Sequence, residues 1–213
     1  TATKIFDGVS TKPITAQPQI YVHGGYPLVL FGTGQYLTLS DVTSTDTQTF
    51  YAVQDKGDGT IVTDGNLVPQ TIDKQQSVAV TQNDGSSVTF DLRQTSSNPV
   101  DYAVYRGWKM DLVVSGMSAS GERVVSTALI KHGRVIFVTV DPSATKCEPG
   151  GESWLMELDV ITGSRTAETV FDFNNDNLFD ATDNVIDSTP VSGVKSTVGI
   201  TKTPIWIDSS DPG

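Results

Sequence analysis

Cysteine is almost missing from this chain of 213 residues: Cys147 stands alone. One thiol cannot build an internal disulfide framework. It is left free, or as half of a bridge whose other half lies outside the chain. Positive charge is short as well, with 14 basic residues against 25 acidic ones and a formal charge of −11. A nucleic-acid groove needs the opposite sign, so that partner class is excluded. Glutamate is scarce: Asp supplies 20 of the acids and Glu only 5. Asp favours turns and loops, which puts most of the charge between elements. No run approaches the ~18 apolar residues that span a bilayer. Thr1 to Ser10 lacks the basic and apolar regions of a signal peptide, so the chain reads as soluble as given, or as a piece of something longer. Helical periodicity is also absent beyond about two turns. Asp41 to Thr47 and Asn66 to Gln70 are read as single turns.

What is present is a recurring β-branched or aromatic run closed by Gly, Asp, Asn or Pro, and a hydrophobic content of 37% sustains a packed core. Strands are expected at Ile20–Val22, Leu28–Gly32, Thr49–Gln54, Ile61–Thr63, Ser77–Gln82, Ser87–Leu92, Tyr102–Tyr105 and Lys109–Val114. Further strands are expected at Arg123–Ile130, Arg134–Val140, Ser153–Asp159, Glu168–Phe171, Gly199–Thr201 and Ile205–Asp208. Hairpin turns are expected at Asn83-Asp84-Gly85, at Lys131-His132-Gly133, and at Lys56-Gly57-Asp58-Gly59 between Phe50–Val53 and Thr60–Val62. Thr95–Asn98 and Ser115–Gly121 read as surface loops.

The chain is therefore all-β, with antiparallel meanders that suit a sandwich, a barrel or a propeller. Trp154 to Gly163 favours the propeller, because a strand runs there into the Asp159-x-x-Thr162-Gly163 turn typical of quinoprotein-like blades. At ~40–50 residues per blade the chain holds roughly four. No clean self-repeat or internal boundary appears, so residues 1–213 are read as one all-β domain, or a fragment holding part of a ring.

The sharpest chemical signal is Asp172-Phe173-Asn174-Asn175-Asp176-Asn177-Leu178-Phe179-Asp180-Ala181-Thr182-Asp183. Oxygen side chains fall at loop positions 1, 3, 5, 9 and 12, a backbone carbonyl is available at 7, and Asn177 occupies the sharp turn where Gly is usual. A hard cation wants six to eight oxygens at ~2.3–2.6 Å, and a chain coiling back on itself offers alternate residues inward. This predicts a calcium loop ligated by Asp172, Asn174, Asp176, the Leu178 carbonyl and Asp180. Asp183 is a further candidate ligand, shorter than the usual Glu. Leu178 is expected to pack the loop against its own domain.

Other candidates read as structure. Gly32-Thr33-Gly34 lacks the third glycine of a dinucleotide fingerprint and suits a turn. His23 and His132 sit in turn contexts outside any metal pattern, and no Gly-x-Ser-x-Gly elbow accompanies the Ser, His and Asp present. Asp55–Gly59 has only two carboxylates and suits a hairpin better than a cation site. Trp108, Trp154, Trp206, Tyr36 and Tyr51 are read mostly as core.

Several blocks together resemble a known family. Leu30-Phe31-Gly32-Thr33-Gly34-Gln35-Tyr36-Leu37, Ser44-Thr45-Asp46-Thr47-Gln48-Thr49-Phe50-Tyr51 and Gly107-Trp108-Lys109-Met110-Asp111-Leu112 are followed by Gly121-Glu122-Arg123-Val124-Val125. Then come Gly150-Gly151-Glu152-Ser153-Trp154-Leu155-Met156-Glu157-Leu158-Asp159 and Gly193-Val194-Lys195-Ser196-Thr197-Val198-Gly199-Ile200. In order and spacing they resemble the C-terminal domain of the PilC/PilY family of type IV pilus tip-associated adhesins and biogenesis factors. The resemblance implies the later portion of a modified propeller, with the remainder outside this chain. It implies a non-enzymatic protein exported through the periplasm to the outer membrane, the cell surface and the pilus tip. There it would meet pilins, minor pilins or a host-surface receptor, oppose pilus retraction, and serve twitching motility and attachment under calcium control. The family's calcium motif is similar to the run Asp172, Asn174, Asp176, Asn177, Asp180; a regulatory and a structural role both stay open for it. Cys147 would then sit in an oxidising compartment. Two readings from other classes are a fragment of a quinone-dependent dehydrogenase propeller, which would carry paired cysteines, and a carbohydrate-binding β module using exposed aromatics.

Overall fold

A computed structural model of the chain describes residues 3–8, 11–142 and 151–205. Cys147, Trp206 and the far end of the expected Ile205–Asp208 strand lie outside the described residues. The strands are β1 (Gln19–His23), β2 (Tyr26–Gly32), β3 (Thr49–Gln54), β4 (Val68–Thr81) and β5 (Ser87–Thr95). They continue as β6 (Gly107–Val114), β7 (Leu129–Lys131), β8 (Arg134–Asp141), β9 (Glu152–Asp159) and β10 (Gly193–Lys195). A short helix α1 (Leu39–Thr43) and two 3-10 turns, Asp64–Asn66 and Ala181–Asp183, complete the described elements. The all-β expectation holds.

The strands form one hydrogen-bonded order, β1-β2-β3-β6-β4-β5-β10-β9-β8-β7. Its two end strands, β1 and β7, come back into contact, so the sheet curls into a nearly closed barrel. The expected meanders are present as β1-β2-β3 and β7-β8-β9. One pair departs from them: β4 lies parallel to β6. Every strand between the two ends of this order has a ladder on both sides, while β1 pairs only with β2 and β7 only with β8, so the near-closure brings the two remaining edges together without a ladder between them.

Side chains alternate across this wall. Inward lie Leu28, Leu30, Phe50, Ala52, Trp108, Met110, Phe137, Trp154, Met156 and Leu158, all buried. Phe50 stacks on Phe137 at 4.0 Å and on Trp108 at 5.8 Å. Outward, Phe31, Tyr51 and Val53 are covered by Phe6, Val62 and Leu67. Strand β3 is thus buried on both faces, which is why its sequence runs apolar without alternation. The Asp159–Gly163 turn closes β9 as the sequence predicts: Asp159 Oδ1 accepts from the amides of Ile161 at 3.0 Å and Thr162 at 2.7 Å. Gly163 is required there twice over, since its φ is +69° and a Cβ would stand 2.2 Å from the Trp108 ring.

Some expected elements are absent. Ile61–Thr63 contributes only a bridge from Val62 to Phe6, and β3 pairs with β2 and β6, so Lys56–Gly59 is not the hairpin turn expected. Tyr102–Tyr105 is a turn closed on the Asp101 carbonyl by the Tyr105 amide at 2.8 Å. Arg123–Ile130 yields one bridge at Arg123 and then β7; Glu168–Phe171 and Gly199–Thr201 form no strand. Within them Val62, Val124 and Ala128 are buried as cover for strands whose hydrogen-bonding edges are already taken, whereas Ile61, Val104, Tyr105 and Ile200 stay exposed. Burial produces the apolar run, but only a free ladder makes a strand. The helical turn expected at Asn66–Gln70 is instead a 3-10 turn ending at Asn66 and the start of β4, where burial alternates from Val68 to Ile72. The other expected turn, at Asp41–Thr47, is α1 itself, shifted to 39–43. Thr95 and Ser96, read as loop, are buried; Ser96 donates to Gln70 Oε1 at 2.6 Å.

One buried ion pair ties the wall to its cover. Arg93 on β5 donates to both oxygens of Glu122 at 2.6 and 2.7 Å and to Gln75 at 2.9 Å, with its guanidinium 3.8 Å over the Trp154 ring. Removing one partner of such a pair strands the other charge in a low dielectric. Glu122→Gln should lower the unfolding free energy in urea by about 3–5 kcal/mol. Lys74→Ala, which breaks the exposed pair with Asp187, should cost under ~1 kcal/mol. Equal effects from the two would overturn the assignment.

Candidate functional site

Between β9 and β10 the chain runs from 160 to 192 without a strand, so its amides need partners other than a ladder. Asp and Asn side chains supply them. Asp172 Oδ1 accepts from the amides of Asn175 at 2.6 Å and Asp176 at 3.3 Å, while its Oδ2 accepts from Asn177 at 3.0 Å. Asn174 Oδ1 accepts from the Asp176 amide at 3.0 Å, and Asp176 Oδ1 from the Leu178 amide at 2.9 Å. Asp180 Oδ1 accepts from the Thr182 amide at 2.8 Å and its hydroxyl at 2.7 Å. The coil tightens because Asn175 and Asn177 adopt φ of 59° and 65°, the left-handed region that Asn tolerates best after Gly.

Asp183 closes the loop. It is 1% exposed; Oδ1 accepts from the amides of Phe173 at 2.7 Å and Asn174 at 3.2 Å, and Oδ2 from Asp180 at 3.4 Å. Both ends of the Asp172–Asp183 segment are therefore held on one carboxylate. The loop sits on the tip of the β4–β5 hairpin, where Gln82 Nε2 donates to the Phe173 carbonyl at 2.8 Å and the Asn83 amide to the Asn174 carbonyl at 2.7 Å.

The apolar plug is Phe173, 4% exposed among Val80, Leu92, Ile186 and Val191. It was not expected. Leu178, expected to pack the loop down, is 57% exposed, and Phe179 beside it is 62% exposed. The reason is register. Asp183 draws the Phe173 amide inward and so commits position 2 of the loop to the core, leaving positions 7 and 8 on the far side of the coil.

The structure thus brings Asp172, Asn174 and Asp176 together, with Asn174 Nδ2 donating to Asp176 Oδ2 at 3.0 Å. Asn174 Nδ2 also reaches Thr182 Oγ1 at 2.9 Å, which links the first half of the loop to the Asp180 side. Among the described residues no three His, Cys, Asp or Glu side chains converge on one point; the donors here are mixed, carboxylate with amide and carbonyl oxygen. Thr182's side-chain and backbone donors hold the Asp180 carboxyl below the ordinary carboxylate value. No Lys, Arg or His occurs between 166 and 194, whereas Glu168, Asp172, Asp176, Asp180, Asp183 and Asp187 do.

The other sequence candidates are structural. A Cβ at Gly32 would stand 2.3 Å from the Val124 side chain and one at Gly34 2.4 Å from that of Arg123, so both glycines permit close packing. His23 packs on Tyr102 at 4.6 Å, and His132 forms the β7–β8 turn at φ 50°. Asp58 pairs with Arg106 and has its carboxyl lowered to about 2 by that bond. Trp108, Trp154 and Tyr51 are core, while Tyr36 is surface. Burial pushes the Tyr51 hydroxyl upward.

The sequence reading missed Arg123. Its guanidinium donates to the carbonyls of Gly121, Gln35, Asp41 and Ser44 at 2.7–2.8 Å, binding the segment after 121 to α1. Asp41 beside it accepts from Gln35 Nε2 at 2.8 Å and from the amides of Leu37 and Thr38 at 2.9 and 2.7 Å, and these donors hold its carboxyl well below the usual range. Such clasps join positions some eighty residues apart, and no local pattern announces them.

No family model matches the chain. It is 34% identical over 155 residues to the type IV pilus biogenesis factor PilY1 homolog of Xylella fastidiosa, covering 71% of this chain and 10% of that protein. It is 30% identical over 190 residues to the type IV pilus biogenesis factor PilY1 of Pseudomonas aeruginosa, covering 81% and 16%. The chain thus spans between a tenth and a sixth of the length of these relatives. In structure it is similar to the crystallised C-terminal domain of Pseudomonas aeruginosa PilY1, with a TM-score of 0.74 at 27% identity over 87% of this chain and 39% of that one.

Two outcomes are expected from this geometry. Phe173→Ala should cost about 3–5 kcal/mol in chemical denaturation, whereas Leu178→Ala should cost under ~0.5 kcal/mol; the reverse order would place the loop wrongly. Because the folded-state pKa of Asp41 lies below its unfolded value of 3.8, its contribution is present above pH ~4 and fades as the pH falls. The gap in thermal midpoint between the parent chain and Asp41→Asn should therefore be widest near neutrality and narrow on acidification toward pH ~2. A gap that does not change with pH would remove the carboxylate from the account.

Proposed function

The chain is homologous to the C-terminal domain of the type IV pilus biogenesis factor PilY1 and fits a part of that domain, and from this premise we propose that it is a non-enzymatic, calcium-binding part of such a factor. The observation that carries the calcium reading is the Asp172–Asp183 loop. Every protein donor placed at its alternate positions is an oxygen, which suits a hard cation. Asp172, Asn174, Asp176, the Leu178 carbonyl and Asp180 would hold the ion. Asp183 has both oxygens engaged with backbone amides and would hold the frame.

Binding would offset the repulsion among carboxylates that no lysine or arginine within 166–194 relieves, and would stiffen a loop seated on the β4–β5 hairpin. In this reading the chain is the later portion of a modified propeller completed by residues outside it. The stiffened face serves pilins, minor pilins or a host-surface receptor. Its work, exported through the periplasm to the outer membrane and pilus tip, is to oppose retraction and so support pilus extension, twitching and attachment.

Calorimetric titration of the chain with calcium tests the ion directly. A saturable heat is expected that falls at least tenfold in affinity in Asp176→Ala and in Asp180→Ala, both folded by circular dichroism. Heats that are equal in parent and variants, or absent from the parent, would end the calcium reading while leaving the homology untouched.

A further inference from the structure

The loop also presents two large apolar side chains to solvent. Leu178 and Phe179 are 57% and 62% exposed on adjacent positions, while the loop's other aromatic, Phe173, is buried. The pair does not hang on a slack tip. The Leu178 amide is bound to Asp176 Oδ1 at 2.9 Å, the Asp180 amide to Asp183 Oδ2, and the Asp180 carbonyl accepts from Thr169 Oγ1 at 3.0 Å. Apolar side chains offered on a backbone already fixed lose little freedom when they dock, which is the property of an interface anchor.

Charge says what kind of surface would receive them. The stretch from 166 to 194 carries six acids and no base. Glu168 is exposed and adjoins the Thr169 that bonds Asp180. Lys74 offsets Asp187 and a bound calcium would cancel two further charges, which still leaves the stretch net acidic, and the chain as a whole carries −11. An anionic membrane would be repelled, and so would a second copy of this chain through the same face. A protein surface with an apolar socket ringed by Lys and Arg is matched in both respects.

We propose that Leu178 and Phe179 form the anchor of a protein-docking site that inserts into a basic-rimmed apolar socket on a partner. This deepens the pilus reading and rests on it for the choice of probe: the purified major and minor pilins of the same bacterium, immobilised in turn, with the chain as analyte in calcium.

Binding to at least one pilin is expected, weaker at higher ionic strength. Phe179→Ser, outside the oxygen set, should reduce affinity at least tenfold while leaving the calcium titration and the unfolding midpoint unchanged, and adding Leu178→Ser should reduce it further at an unchanged unfolding midpoint. Glu168→Lys, exposed and not one of the loop's oxygen donors, should weaken binding severalfold and flatten its salt dependence. Binding that survives the double serine variant overturns the anchor and leaves the pilus reading standing. No binding to any pilin overturns both. Binding of the parent to neutral phosphatidylcholine vesicles, lost in the double variant, would assign the pair to a lipid surface and likewise overturn the docking site.

Discussion

The carboxylate of Asp183 is the contact on which the last third of the chain depends. A segment of more than thirty residues crosses from β9 to β10 without a ladder, and its amides would be costly to leave unpaired under an apolar plug. Asp183, itself out of solvent, takes the amides of Phe173, Asn174 and Asp180 together. That choice places Phe173 in the core, coils the intervening backbone around the Asp172 and Asp176 side chains, and turns Leu178 and Phe179 outward. Plug, oxygen-lined coil and exposed pair are three results of one clamp.

The same solution recurs where the barrel meets its cover. A curled sheet buries one face in itself but leaves the other apolar in places, and irregular segments must cover it. Their backbone groups are bonded by long side chains: Arg123 gathers four carbonyls, Asp41 gathers two amides, and Arg93 locks Glu122 against Trp154. Few helices and many Asp residues are thus one fact seen twice. An Asp-rich chain does not need regular structure to satisfy its loops, because its side chains do so.

What could be read in advance followed from local physics. Strands β2, β3, β8 and β9 have apolar or alternating runs bounded by turn residues, and the turns at Asn83–Gly85 and Lys131–Gly133 carry the residues that tolerate positive φ. The loop at 172–183 was visible because its oxygens repeat at every second position. Segments such as Arg123–Ile130 misled because burial as cover and burial in a strand select the same side chains. Leu178 misled because its outward direction is set by Asp183 and the hairpin tip, not by its own neighbours. Arg123 could not be found, since its partners lie far off in the chain.

The amino-acid sequence by itself determined the all-β class, the tight turns at Asn83–Gly85 and Lys131–Gly133 and the oxygen-rich spacing of the loop, since each is governed by residues within a few positions of one another. Only the tertiary structure decided the strand order, the parallel pairing of β4 with β6, the burial of Phe173 in place of Leu178, and the partners of Arg93 and Arg123. Those depend on which distant surfaces remain uncovered once the sheet has curled, and closure of the barrel is a property of all its strands together.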